Sequence, residues 1–151
     1  MRIFYFDIDG TVRDYDDQPF KTLANGELQL ALKQRQFNKL VCLSGWVWFA
    51  KQGVNVEDKN QVAQRIWDEI PDIFPDKTDF IEKLGMCPDP DKRAESIDLE
   101  SDWYYVDDWA DKFFTEAWGQ ELFDKHNGSR ICQVDPHGDG SDLFHFIRNI
   151  G

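Results

Sequence analysis

The chain has 151 residues, 41% of them hydrophobic, and its 17 lysines and arginines face 29 aspartates and glutamates, a formal net charge of −12 at pH 7. That length predicts one domain, spanning 1–151, with a sizeable core, and the 12 Phe and 6 Trp exclude a largely disordered chain. The acidic balance excludes a non-specific grip on DNA or RNA, which needs a cationic surface.

Cys42, Cys87 and Cys132 lie too far apart for a CxxC metal or redox pair. Cys42 and Cys132 sit in apolar runs, so the thiols read as reduced core residues of a cytoplasmic protein. No secretory leader and no apolar run of membrane length is expected, so no membrane partner is either.

Ile3-Phe4-Tyr5-Phe6 reads as a strand buried on both faces, as in the centre of a parallel sheet. Asp7 and Asp9 follow, then Gly10 and Thr11, where a strand gives way to a turn. Acids at the end of a core strand lie at the carboxyl edge of the sheet, where open α/β sheets bind ligands. Two close carboxylates repel unless a cation joins them, and Mg²⁺ suits oxygen ligands. Residues 12–22, with Asp14, Asp16, Asp17 and Pro19, read as a short flap over that edge.

Gly26 to Gln36 has helical spacing, with Leu23 as a candidate staple. Lys39 to Leu43 is a second buried strand, ending in Ser44-Gly45. The hydroxyl donates a hydrogen bond, and Gly lets backbone N–H groups approach an anion. Trp46, Trp48 and Phe49 follow, and Trp46 is a candidate for the mouth of a site. Residues 46–76 read as a small helical insertion, with a helix over Val56 to Ile70 that Pro71 stops. A strand is expected over Ile81 to Met86.

The Cys87-Pro88-Asp89-Pro90 run forces an extended approach. Asp91 then caps a short helix, with Lys92 in its first turn. A cation there is unfavourable for the helix, and a carboxylate–phosphate site gives it a purpose. Trp103 to Val106 is a third strand, discharging into Asp107-Asp108, with Asp111 one turn on. A helix is expected over Asp111 to Lys125, a last strand over Ser129 to Val134, a turn at His137 to Gly140, and a closing helix over Leu143 to Ile147. Strands alternating with helices predict an α/β, Rossmann-like three-layer α/β/α fold with a mainly parallel central sheet and right-handed crossovers. All the strand ends named above then share one edge.

Asp7-Ile8-Asp9-Gly10-Thr11 resembles the first motif of the haloacid dehalogenase-like (HAD) phosphohydrolases. Leu43-Ser44-Gly45 resembles their second, and Asp107-Asp108, or Asp107 with Asp111, their fourth. For the third motif the candidates are Lys92 and Lys83. The resemblance implies a Mg²⁺-dependent phosphomonoester hydrolase, capless or minimally capped. In it Asp7 is the nucleophile and forms an aspartyl-phosphate, and Asp9 is general acid and then base. Asp7, the Asp9 carbonyl and Asp107 hold Mg²⁺, with Asp108 or Asp111 assisting. Ser44, Gly45, Thr11 and Lys92 bind the phosphoryl group. The implied partner is a phosphorylated substrate, either a nucleotide, which suits Trp46 and Trp109 near the edge, or a macromolecule. Monomer and homodimer both remain open. The rivals are a phosphotransferase or polynucleotide-end phosphatase of the same fold and a catalytically silent regulatory module. A phosphorelay receiver is disfavoured, because Ser44 rather than Asp ends the second strand.

Overall fold

The structure is a computed structural model and describes residues 1–13, 27–51, 58–69 and 74–151. Most of the predicted flap lies outside these residues, as do Leu23, Val56, Ile70 and Pro71.

Five strands, β1 (Arg2–Phe6), β2 (Lys39–Cys42), β3 (Leu84–Met86), β4 (Asp102–Asp107) and β5 (Ile131–Gln133), form one sheet in the order β3-β2-β1-β4-β5. Every pairing is parallel. The described helices are α1 (Glu27–Arg35), α2 (Trp46–Lys51), α3 (Lys59–Glu69), α4 (Lys77–Lys83), α5 (Ala110–Trp118), α6 (Gln120–His126) and α7 (Ser141–Arg148), with a 3₁₀ segment at Pro90–Ser96.

Side chains alternate across a strand, so each central strand feeds two cores. Phe4, Phe6, Leu40, Cys42, Tyr104 and Val106 point to one face, against α1, α3, α4 and α7. Ile3, Tyr5, Trp103, Tyr105 and Ile131 point to the other, against the 3₁₀ segment, α5 and α6. The result is the three-layer α/β/α, Rossmann-like architecture. Burial of each core Phe contributes about 1.5–3 kcal/mol. Phe6 packs at a tilt against Phe74, 4.9 Å between ring centres, and Phe74 against Phe80 at 4.8 Å. No helix of the described residues is long and apolar enough to cross a membrane.

Topology positions the site. The chain moves from β1 outward through β2 to β3, then returns to β4 on the other side of β1. After β1 it passes to the face that holds α1; after β4 it passes to the face that holds α5. The connections leaving these neighbouring strands therefore diverge and open a crevice at their carboxyl ends. Asp7 and Asp107 stand there.

Three elements differ from expectation. The segment expected as a strand over 81–86 is helical to Lys83, and only Leu84–Met86 pair with β2. Asp76 caps this helix by accepting the Asp79 N–H at 2.8 Å, a capping signal stronger than the short apolar run. The helix expected over 111–125 is two helices, parted at Gly119, whose φ of +95° lies where an L side chain is strained. Asp89, not Asp91, caps the 3₁₀ segment, with Pro90 in its first turn.

Candidate active site

The site begins where β1 ends. The Asp7 N–H donates to the Val106 carbonyl at 3.1 Å, which extends the β1–β4 ladder by one residue and holds the Asp7 backbone rigid. Gly10 then takes φ +77°, a tight reversal that favours glycine. The N–H groups of Thr11, Val12 and Arg13 converge on the Ile8 carbonyl at 3.1, 3.1 and 3.4 Å. This turn folds Thr11 back under Asp7. The Thr11 hydroxyl is fully buried, lies 3.1 Å from Asp7 Oδ2 and 3.3 Å from Asp108 Oδ1, and accepts the Asp108 N–H at 2.9 Å.

The end of β4 supplies the second group. Asp107 is fully buried. Its Oδ2 accepts the Tyr105 hydroxyl at 2.7 Å, and its Oδ1 accepts the Trp109 N–H at 2.9 Å. Arg93 joins the two strand ends: its Nη1 lies 3.0 Å from Asp7 Oδ1 and 3.2 Å from Asp107 Oδ2. The guanidinium sits 4.0 Å over the Phe113 ring, and its Nε donates to the Pro90 carbonyl at 2.7 Å.

One carboxylate oxygen from each of Asp7, Asp107 and Asp108 lies within 4.8 Å of the others. One guanidinium thus bridges two buried carboxylates, with the half-buried Asp108 beside them. Burial, and then the Asp107 charge, push the Asp7 carboxyl well above the usual range, against the pull of Arg93. Burial raises Asp107 to about 6, although Arg93, the Trp109 N–H and the Tyr105 hydroxyl all oppose it. Burial and the adjacent Asp107 raise the Tyr105 phenol. Burial would lower Arg93, but Asp107 and Asp7 outweigh it and raise it. A further cation would relieve this repulsion. The donors are all hard oxygens, which fits Mg²⁺.

Asp9 lies at the rim, its side chain 45% exposed. The Trp46 indole N–H donates to Asp9 Oδ2 at 2.8 Å, and Arg13 Nε lies 3.3 Å from Oδ1. The Arg13 guanidinium rests 4.7 Å over the Trp46 ring, so Asp9, Arg13 and Trp46 each touch the other two. Ser44 is buried at the end of β2, and its Oγ accepts the Trp46 N–H at 3.2 Å. A methyl group at Gly45 would meet no protein atom within 4 Å, which leaves open space beside its backbone.

These groups border a cleft of about 660 Å³. Of the residues singled out in sequence, Asp7, Asp9, Ser44, Gly45, Trp46, Asp107, Asp108 and Trp109 line it. Thr11 does not; it buttresses two of the acids from below. Asp111 is exposed on the first turn of α5, outside the acid cluster, its N–H bonded to Gln133 Oε1 at 2.9 Å. Neither candidate lysine borders the cleft: Lys92 is exposed, and Lys83 pairs with Asp79 at 2.9 Å. The cation between the acids is Arg93. The backbone departs from helical angles at Lys92 (φ −119°, ψ 36°), which turns the next residue, not Lys92, toward the sheet. Sequence spacing carried no sign of that kink. Tyr105 was legible in principle, because it stands two residues before Asp107 and so shares its face of β4.

No family model matches the chain, and comparison with curated proteins and with solved structures gives no match either.

Proposed function

We propose that this cleft is the active site of a Mg²⁺-dependent phosphomonoester hydrolase of the HAD-like type, working through a phosphorylated Asp7. The reading rests on one observation above the rest: two buried carboxylates from adjacent strand ends share Arg93 at a topological switch point. Such a group is costly to bury and has no packing role that an apolar pair would not fill.

Each residue then has a task. Asp7, fixed by the β1–β4 ladder, attacks phosphorus, and the bond from phosphorus to the leaving oxygen breaks. Asp9, at the rim, gives that oxygen its proton. Asp9 next takes a proton from water, which attacks the phosphorus of the acyl phosphate; free phosphate leaves and Asp7 is regenerated. Arg93 and Ser44 stabilise the charge spread over the phosphoryl oxygens. Asp7, Asp107 and Asp108 would hold Mg²⁺, which supplies the positive charge that lets a phosphate dianion approach three acids. Tyr105, Thr11 and the Trp109 N–H fix the orientation of those acids.

The three described thiols are buried and unbridged, which supports a reducing, cytoplasmic setting. The test is phosphate release from a panel of phosphomonoesters with Mg²⁺ and with EDTA, for the wild type and Asp7→Asn. Release that needs Mg²⁺ and vanishes in the variant is the expected result. Equal turnover by a folded Asp7→Asn protein would overturn the mechanism, and no turnover of any ester would favour the silent regulatory module.

A further inference from the structure

The aromatic side chains around the cleft are not equivalent. Trp46 packs on the core, carries Arg13 and gives its N–H to Asp9. Phe113 lies under Arg93. Trp109 is 52% exposed. Among the described residues the exposed large hydrophobics are Met1, Leu30, Trp48 and Trp109, and of these Trp109 alone lines the cleft. Leaving an indole half in water forgoes apolar burial that a ligand ring would restore.

The Trp109 backbone is also fixed to the reacting centre, since its N–H is bonded to Asp107 Oδ1. This holds the Trp109 main chain beside the acid cluster, and the exposed indole lines the cleft. The Lys112 ammonium lies over one face of the Trp109 ring, with Nζ 5.0 Å from its centre and 5.5 Å from that of Phe113, so a ligand ring would stack on the other face. Among the described residues, Lys112 and Arg93 are the cations that line the cleft. A flat exposed ring next to a cation suits a ligand that is both aromatic and anionic.

We propose that Trp109 and Lys112 form the leaving-group subsite and that the substrate is a nucleoside monophosphate, its base stacked on Trp109. The phosphate end of this assignment rests on the phosphohydrolase reading. The cleft, at about 660 Å³, has room for a ligand of nucleotide size.

The experiment is calorimetric titration of AMP, adenosine and ribose 5-phosphate, with Mg²⁺, into the full chain carrying Asp7→Asn, with and without Trp109→Ala. Stacking predicts that AMP binds about tenfold or more tightly than ribose 5-phosphate and that Trp109→Ala removes this advantage. The Lys112 and Arg93 charges predict that AMP also outbinds adenosine. Circular dichroism checks the fold, which an exposed side chain should leave intact, and Trp109→Phe should keep most of the preference. AMP binding no better than ribose 5-phosphate, or equally well to Trp109→Ala, overturns the subsite even if phosphate esters are hydrolysed. Binding of AMP that Trp109→Ala abolishes upholds it even if no ester is turned over, in which case only the phosphohydrolase reading falls.

Discussion

Strand β4 begins with one aspartate and ends with another, and the two live under opposite conditions. At the amino edge of the sheet, Asp102 accepts from Arg2 at 2.9 Å and from Arg130 at 3.0 Å, with its side chain 36% exposed. Burial is the largest single influence and pushes its carboxyl up, but the hydrogen bonds from Arg2, Arg130 and Tyr104 and the Arg2 charge together outweigh it and hold the group below its ordinary value. The two arginines also bind the carbonyls of Arg35 and Trp103, so they tie neighbouring segments together. At the carboxyl edge, one arginine bridges two buried acids, Asp7 and Asp107, and both are pushed up. Matched, wet charges fasten a fold at small gain. Unmatched, buried ones cost stability and are retained where chemistry needs them.

Several experiments sharpen or break that contrast, starting from the largest expected effect. Asp7→Asn should lower turnover about 10³-fold or more, because the attacking oxygen is lost. The same variant should melt higher than the wild type at pH 7 without Mg²⁺, since one buried charge is gone and Arg93 keeps Asp107; a lower melting point would refute the strained-site view. Arg93→Ala should lower turnover about 10²-fold. Lys92→Ala should not, because the Lys92 side chain is exposed outside the cleft; the reverse ranking would mean that the kinked 3₁₀ segment turns the other way in solution.

The pH dependence of stability follows from the same shifts. Asp107 lies near 6 in the folded chain against an ordinary 3.8. A raised carboxyl favours folding while protonated, so this contribution is full below the ordinary value and is lost as pH rises through about 6. The metal-free melting temperature should therefore fall between about pH 4 and 6, and Mg²⁺ at pH 7 should recover part of the loss. A thermal scan flat in both variables would count against a shared buried charge. Asp102, with its lowered value, works in the other sense: its contribution is present above the ordinary value and fades as pH falls below it. The smallest effect is expected from Asp102→Asn, about 0.5–1 kcal/mol of stability for a partly exposed pair, with turnover little altered.

What could be read from sequence follows from the range of the forces involved. β1, β2 and β4 are apolar runs long enough to name themselves, and a parallel sheet collects their carboxyl ends by topology alone. Asp7, Asp9, Ser44 and Asp107 were therefore visible as residues of one edge. Arg93 was not, because the choice between it and Lys92 depends on a single non-helical residue in a 3₁₀ segment. The boundary between α4 and β3 was hidden for a related reason. Phe80, Ile81 and Leu84 suit either helix or strand, and a capping hydrogen bond from the Asp79 N–H to Asp76 decided between them. Asp111 looked equivalent to Asp108 by spacing, but the turn after β4 brings only Asp108 over Thr11.

Thr11 itself has a consequence for timing. Its hydroxyl owns a single hydrogen, yet two carboxylate oxygens lie within reach, Asp7 Oδ2 and Asp108 Oδ1. Only one can receive it at any moment, while the backbone N–H of Asp108 keeps the oxygen in place. Whichever acid is momentarily richer in negative charge draws the hydrogen, and a rotation about one bond hands it to the other. The residue thus behaves as a rotary contact between two arms of the cluster, letting charge on Asp7 come and go without a movement of the backbone.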